Sequence, residues 1–257
     1  MGKALVELSA GHPGDAELVG SLRRQREAWD ARPAVRALYH GWYEMIVARL
    51  AAVPGDTVEL GCGIGTFKEV YPDVIATDVA PTPWAERTAD AERLPFEDAS
   101  VANLVMTDVI HHLPRPGRLF GEAERVLRPG GRLIAVEPYC SPVSGFAYRH
   151  FHREGSNART DPFADVPHSS TDPLDANNAL PTLIFWRGAN RFRSLWTGLD
   201  LVERRRFAFI AYPLSGGFEG RKLAPDLVVG GLQRIESVLI PLAPLAAFRC
   251  LVALERR

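Results

Sequence analysis

Four stretches of this sequence carry side chains whose types and spacing suit chemistry. In Val58-Glu59-Leu60-Gly61-Cys62-Gly63-Ile64-Gly65, glycines alternate directly after a short apolar run. Without Cβ atoms the backbone can turn tightly there and approach a ligand closely. A dinucleotide fingerprint would need its third glycine at position 66, which is Thr66. Glu59 interrupts the apolar run, where a charge is costly unless it has a partner, and it can meet the ammonium of an amino-acid ligand. Asp78 closes the next apolar run, Val74-Ile75-Ala76-Thr77, and can accept hydrogens from both hydroxyls of a ribose. Asp90 opens Asp90-Ala91-Glu92-Arg93-Leu94-Pro95-Phe96, an acidic group followed by an apolar clamp, and can accept from an exocyclic amine such as that of adenine. His111 and His112 follow a third apolar run ending at Thr107 and Asp108. An imidazole titrates near neutrality and suits proton removal, which makes His111 the candidate base. Asp108 can orient such a histidine or hold a polar substrate, and it equally suits an N-cap.

These groups need elements to hold them. Apolar and aromatic residues recur at helical spacing from Ser21 to Ala52, broken at Pro33, and predict two amphipathic helices behind a loose arm that ends near Gly20. Strands are expected at Thr57 to Leu60, Val74 to Thr77, Leu104 to Thr107 and Arg132 to Val136, with a helix over Arg115 to Leu127 closed by Arg128-Pro129-Gly130-Gly131. Such alternation implies a parallel sheet covered on both faces. Asp78 then lies at the carboxyl edge, where ligands of open α/β folds bind. From Pro138 to Arg187 the sequence has no steady period and reads as an irregular, partly helical insertion. The tail predicts a helix near Arg191 to Gly198, a strand from Leu201 to Tyr212, a helix near Pro225 to Ile240 and a closing strand from Ala247 to Leu254.

The 257 residues suit one globular domain, divided into an arm and helical cap (1–52), a core (53–139), a pocket insertion (140–190) and a completion of the sheet (191–257). With 30 basic and 31 acidic residues and no basic run, nucleic acid is not an expected partner. The 3 cysteines are far apart, so a disulfide framework is not expected and a reducing, cytoplasmic setting is. The uncharged stretch Val238 to Phe248 is too short to span a bilayer and holds Pro241 and Pro244. A dimer contact or ordinary core is its expected role. His150 and His152 lack a carboxylate pair at helical ligand spacing, and no metal is expected.

From Val58 to Tyr139 the chain resembles the class I S-adenosylmethionine (SAM) dependent methyltransferases, small-molecule type 11 branch. The resemblance rests on the glycine turn, the Thr77-Asp78 strand end, Asp90 to Phe96, Val109-Ile110-His111-His112-Leu113, and Glu124-Arg125-Val126-Leu127-Arg128-Pro129-Gly130-Gly131. It implies a Rossmann-like, doubly wound, mostly parallel seven-stranded α/β sheet whose last strand is antiparallel, with an N-terminal helical cap and an insertion after the fifth strand. It further implies SAM as cofactor and S-adenosylhomocysteine as product. Glu59, Gly61, Cys62 and Gly63 would hold the methionine part, Asp78 the ribose, and Asp90 with Ala91 the adenine, while Thr107 would offer its carbonyl to the amino group. Tyr39, Trp42 and Tyr43 on the cap, Tyr139 at the fifth strand end, and His150 and His152 in the insertion would meet the acceptor, with His111, His112 and Asp108 in the catalytic roles. Glu137, beside Tyr139, is expected to line the pocket or to serve structure.

The expected reaction is methyl transfer to an oxygen of a small natural-product or glycan-related metabolite. A SAM-assisted rearrangement and a non-catalytic scaffold are the alternatives. Three features depart from the family: Asp78 follows the glycine turn early, with Asp78 to Asp90 too short for the customary helix; Ala102 stands where an Asp is usual; and Asp108 follows Thr107 where an apolar residue is common.

Overall fold

The computed structural model describes residues 13–151, 154–165, 176–218 and 220–257. Two helices, α1 (Pro13–Ala31) and α2 (Pro33–Val47), open it. Each begins on a proline, whose missing N–H is harmless in a first turn and whose fixed φ suits it. Pro33 is therefore what divides them. The expected loose arm before Gly20 is helical from Pro13 onward.

Seven strands follow: β1 (Asp56–Leu60), β2 (Ile75–Asp78), β3 (Arg87–Thr88), β4 (Val101–Thr107), β5 (Leu127–Pro138), β6 (Leu199–Phe207) and β7 (Arg249–Arg256). They form a single sheet in the order β3-β2-β1-β4-β5-β7-β6. The last strand in sequence, β7, runs antiparallel to both its neighbours, and the other pairs are parallel. The direction of winding reverses between β1 and β4, which opens a crevice at their carboxyl ends.

Side chains alternate across the sheet with period two. Leu104, Met106, Leu133, Ala135, Val252 and Leu254 face α3 (Pro116–Val126) and α6 (Ala189–Leu195), whose Phe120 and Phe192 are fully buried. Val105, Ile134, Val136, Leu251 and Ala253 face the cap, meeting Trp29, Leu38 and Ile46. The same face carries α7 (Ala211–Ser215) and α8 (Asp226–Ile235). Between β5 and α6 run α4 (Pro142–Phe151), the short α5 (Leu180–Thr182) and a π-helical turn, Leu183–Arg187.

Several boundaries differ from the sequence expectation for visible reasons. The strand expected to reach Tyr212 stops at Phe207, because Ala208 turns the chain at φ 59° and α7 begins at Ala211. The helix expected to reach Ile240 ends at Ile235, passes through a 3-10 segment containing Pro241, and resumes as α9 (Ala243–Ala246). By length and composition Asp226–Ala246 could cross a membrane, with mean hydropathy 1.2 and 11% of it buried. In the fold it is broken into these three pieces, and Val229 is anchored in the core. Arg128 to Gly131 do not close a helix but form an irregularity within β5, where the register against β4 shifts. A 3-10 turn, Thr66–Glu69, is all that follows the glycine turn, and no helix lies between β2 and β3.

Candidate active site

The glycine turn leaves β1 at Leu60 and is closed by Cys62 N–H donating to Thr77 O at 2.9 Å and Gly65 N–H donating to Cys62 O at 2.7 Å. Gly61, Gly63 and Gly65 all have positive φ, at 67°, 52° and 68°. The reason glycine is required differs among them. A Cβ on Gly61 would lie 2.6 Å from Val109 Cγ2, and one on Gly65 2.8 Å from Trp84 Cβ, so these two make room for the protein itself. A Cβ on Gly63 would meet nothing nearer than Leu22 Cδ2 at 3.8 Å, and Gly63 faces open space.

Glu59 is 5% exposed, and its Oε2 is buried without a hydrogen-bond partner. Burial, with Asp78 adding to it, pushes its carboxyl up to about 8. An orphaned carboxylate oxygen in a core is destabilising by itself, so it marks a place built for a cationic partner. Asp78 accepts from Gly63 N–H at 2.9 Å and from Ala80 N–H at 3.2 Å, and burial raises its pKa against the pull of these amides. Asp90 is exposed and accepts from Glu92 N–H at 2.8 Å, capping its own turn. Ala91 is buried in the core.

A second polar cluster stands at the ends of β4 and β5. Glu137, fully buried, accepts from Val109 N–H at 2.8 Å, from Ile110 N–H at 2.7 Å and from His111 Nδ1 at 2.7 Å. Burial would raise its pKa, but His111 and the two amides outweigh it and hold the carboxyl below its ordinary value. Burial would likewise discharge His111, yet Glu137 and Glu154 push it up to about 10. The two carboxylates thus favour the protonated ring. Glu154 lies 3.6 Å from His111 Nε2 and 3.8 Å from His112 Nε2.

Asp108 does not hydrogen-bond His111 or cap the following turn. Held at φ 61°, it accepts from Arg249 Nη2 at 2.5 Å and from Tyr39 OH at 3.2 Å. Left-handed backbone in a residue other than glycine is a strain kept only where surroundings impose it. Arg249 is 2% exposed, sits 4.7 Å over the Trp42 ring, and has an unpartnered Nε.

A single cavity of about 590 Å³, of a size ordinary for small-molecule sites, is lined by both groups of residues. Of the expected positions it takes in Glu59, Gly61, Cys62, Gly63, Thr107, Asp108, His111, His112, Tyr39 and Tyr43. Asp78, Asp90 and Ala91 lie outside it, at the edge formed by β2 and β3. Three acceptor-binding expectations need correction. Trp42 is spent in packing under Arg249, Tyr139 packs against Trp186 and Arg206, and His150 is exposed on α4 beside Phe146. His152 falls outside the described residues. The cavity also recruits Tyr148, Glu154, Asn178, Tyr212, Phe218 and Arg249, which the sequence reading missed. Only Arg249 carried a usable signal, as a lone charge in the apolar run of the closing strand.

Residues 58–135 match the family model described as a methyltransferase domain. This segment is a class I, type 11 SAM-dependent methyltransferase domain. The chain is 31% identical over 119 residues to the demethylmenaquinone methyltransferase of Renibacterium salmoninarum, across 40% of this chain and 50% of that protein. It is 31% identical over 133 residues to the malonyl-[acyl-carrier protein] O-methyltransferase of Hahella chejuensis, across 42% and 47% respectively. The chain thus spans half or less of the length of these relatives. A SAM-dependent methyltransferase structure from Thermotoga maritima shares the fold, with TM-score 0.54 and 15% identity over 94% of this chain and 99% of that one.

SAM is the cofactor of this family, and the methyltransferase domain has groups that fit it. The orphaned Glu59 Oε2 is a match for the methionine ammonium, Gly63 leaves room beside it, and Asp78 ends β2 at the carboxyl edge where open α/β sheets bind ligands.

Proposed function

We propose that the chain is an enzyme that transfers the methyl group of SAM to an oxygen of a small, partly polar acceptor in the cytoplasm. The observation that carries this reading is the continuity of one cavity from Glu59 and Gly63 to His111, His112 and Glu154. When bound, SAM supplies a methyl carried on a sulfonium, which an oxygen can displace in line. The protein's share is alignment and proton removal. Glu59 holds the ammonium, Asp78 the ribose, and Asp90 with Ala91 the adenine edge. Tyr39 and Tyr43 close the cavity from the cap. The acceptor's proton leaves through the His111–Glu154 pair, and Glu137 fixes the ring by holding Nδ1. A non-catalytic scaffold would have no reason to keep the unpartnered Glu59 carboxylate, since replacing it with an apolar residue would stabilise the core. The 3 unpaired cysteines accord with a reducing compartment.

Calorimetric titration with S-adenosylhomocysteine, with NAD as the control, tests the cofactor. Micromolar binding of the former alone is expected, and no binding defeats the reading. His111→Ala is expected to lower turnover while leaving cofactor affinity nearly intact. A fully active variant with an unchanged pH profile removes His111 from the chemistry.

A further inference from the structure

We infer that His111, His112 and Glu154 form a binding site for a single Zn²⁺-class divalent cation on the wall of the cavity, resting on the reaction proposed above. The three side chains offer two imidazole nitrogens and a carboxylate, the donor set of an open zinc site with three protein ligands. Their ligand atoms all lie within 4.8 Å of one another, with Glu154 Oε2 3.6 Å from His111 Nε2 and Glu154 Oε1 3.8 Å from His112 Nε2. Tetrahedral bonds of about 2.0–2.1 Å would place ligands roughly 3.3 Å apart, so a cation would draw the three groups closer and take one of the two carboxylate oxygens. A glutamate side chain can supply that movement.

Two further features mark the cluster as more than a chance encounter. His111 has its other nitrogen, Nδ1, fixed at 2.7 Å by the buried Glu137. A metal-ligating histidine is almost always oriented by such an outer carboxylate or carbonyl, which sets the tautomer that leaves Nε2 free for the metal. Glu154 is held opposite the histidines by the backbone around it. Asn178 N–H donates to Gly155 O at 2.9 Å, and the neighbouring Asn177 N–H donates to His111 O at 2.8 Å, tying both sides of the site to one strut. Imidazole donors favour zinc and its transition-metal neighbours over magnesium, which prefers an all-oxygen shell.

Cation binding at His111 Nε2 displaces the proton there to solvent, while the Nδ1 proton stays on the ring, donated to Glu137. The remaining position opens into the cavity and takes the acceptor oxygen. Binding there would lower the hydroxyl's pKa and send its proton to solvent, which replaces the His111–Glu154 route whenever the cation occupies those two groups. The metal-held oxygen is then the nucleophile, and no redox partner is needed.

The full chain, stripped with a chelator, is to be titrated with Zn²⁺ in competition with a chromogenic indicator. One equivalent is expected to bind, with His112→Ala and Glu154→Gln each weakening it by at least about tenfold. Co²⁺ in place of zinc should show tetrahedral ligand-field bands that Glu154→Gln abolishes. S-Adenosylhomocysteine affinity should stay within about twofold in both variants. No Zn²⁺ binding to the wild type, or equal binding to the variants, overturns the site. If the wild type fails to bind zinc yet binds S-adenosylhomocysteine, the metal site falls and the proposed reaction stands. If S-adenosylhomocysteine fails to bind, the reaction itself falls.

Discussion

The carboxyl edge of the sheet has two halves of different construction. At β1, β4 and β5 the polar groups are buried and joined across several elements: Glu137 ties β5 to the turn after β4, and Arg249 of β7 reaches Asp108. At β2 and β3 the carboxylates hold nearby backbone amides, Asp78 that of the glycine turn and Asp90 that of its own loop. Asp78 holds Gly63 and Ala80, Asp90 holds Glu92, and a loop stands where a helix would cover the edge. The first half is preorganised by the core, so a substitution there disturbs folding as well as function. The second is a rim that grades outward, from the largely buried Asp78 to the exposed Asp90, where charge interactions are screened.

The contrast orders the expected effects. Glu137→Gln weakens one buried acceptor of three hydrogen bonds, and Glu137→Ala removes it. The alanine variant should lose about 3–5 kcal/mol of stability, measured by urea unfolding. A loss under about 1 kcal/mol would mean that the inner half is no better knit than the rim.

Glu59→Gln comes next and should act in two directions. The carboxyl has a folded pKa of about 8 against an ordinary 4.5, so the folded chain holds a proton that the unfolded chain has released between these values. Stability must therefore fall as pH rises through that window, and glutamine should abolish the fall. At pH 8 the unliganded variant should melt above the wild type while binding S-adenosylhomocysteine tenfold to a hundredfold more weakly, as expected for a lost charged hydrogen bond of about 1.5–3 kcal/mol. A variant that binds normally would break the assignment of Glu59.

The same group predicts a pH dependence. Pairing with an ammonium requires Glu59 ionised, so binding below pH 8 must release a proton. Affinity should rise by up to about tenfold per pH unit towards pH 8 and then level off. Calorimetry in buffers of different ionisation enthalpy would count the proton, and a count of zero contradicts the pairing.

On the rim, Asp78→Ala should weaken S-adenosylhomocysteine by at least about tenfold, through lost ribose contacts and a loosened Gly63. Unchanged affinity would remove the ribose from this edge. Asp90→Ala should cost less than about 1 kcal/mol, as an exposed carboxylate does. An effect as large as that of Asp78 would show that the rim closes over the adenine more tightly than its exposure indicates.

Local sequence carried the elements and the glycine turn with its buried carboxylate. Short continuous apolar runs announced β4 and β5, Pro33 the helix break, and Glu59 with its glycines the turn, because each depends on neighbours within a few residues. Even there the tertiary structure reassigned a cause: Gly61 and Gly65 answer to Val109 and Trp84, with only Gly63 turned to open space. The acceptor half was not legible in the same way. Glu154 meets His111 across 43 residues of intervening sequence position, and Arg249 meets Asp108 across 141. No periodicity or motif records such pairings, which exist only because β5 and β7 lie side by side and the insertion folds back over their ends. The sequence by itself determined that a SAM-type glycine turn would sit at the edge of a parallel sheet. Which side chains share a cavity with it was decided by packing, since long-range contacts are set by how the faces of the sheet are covered and not by spacing along the chain.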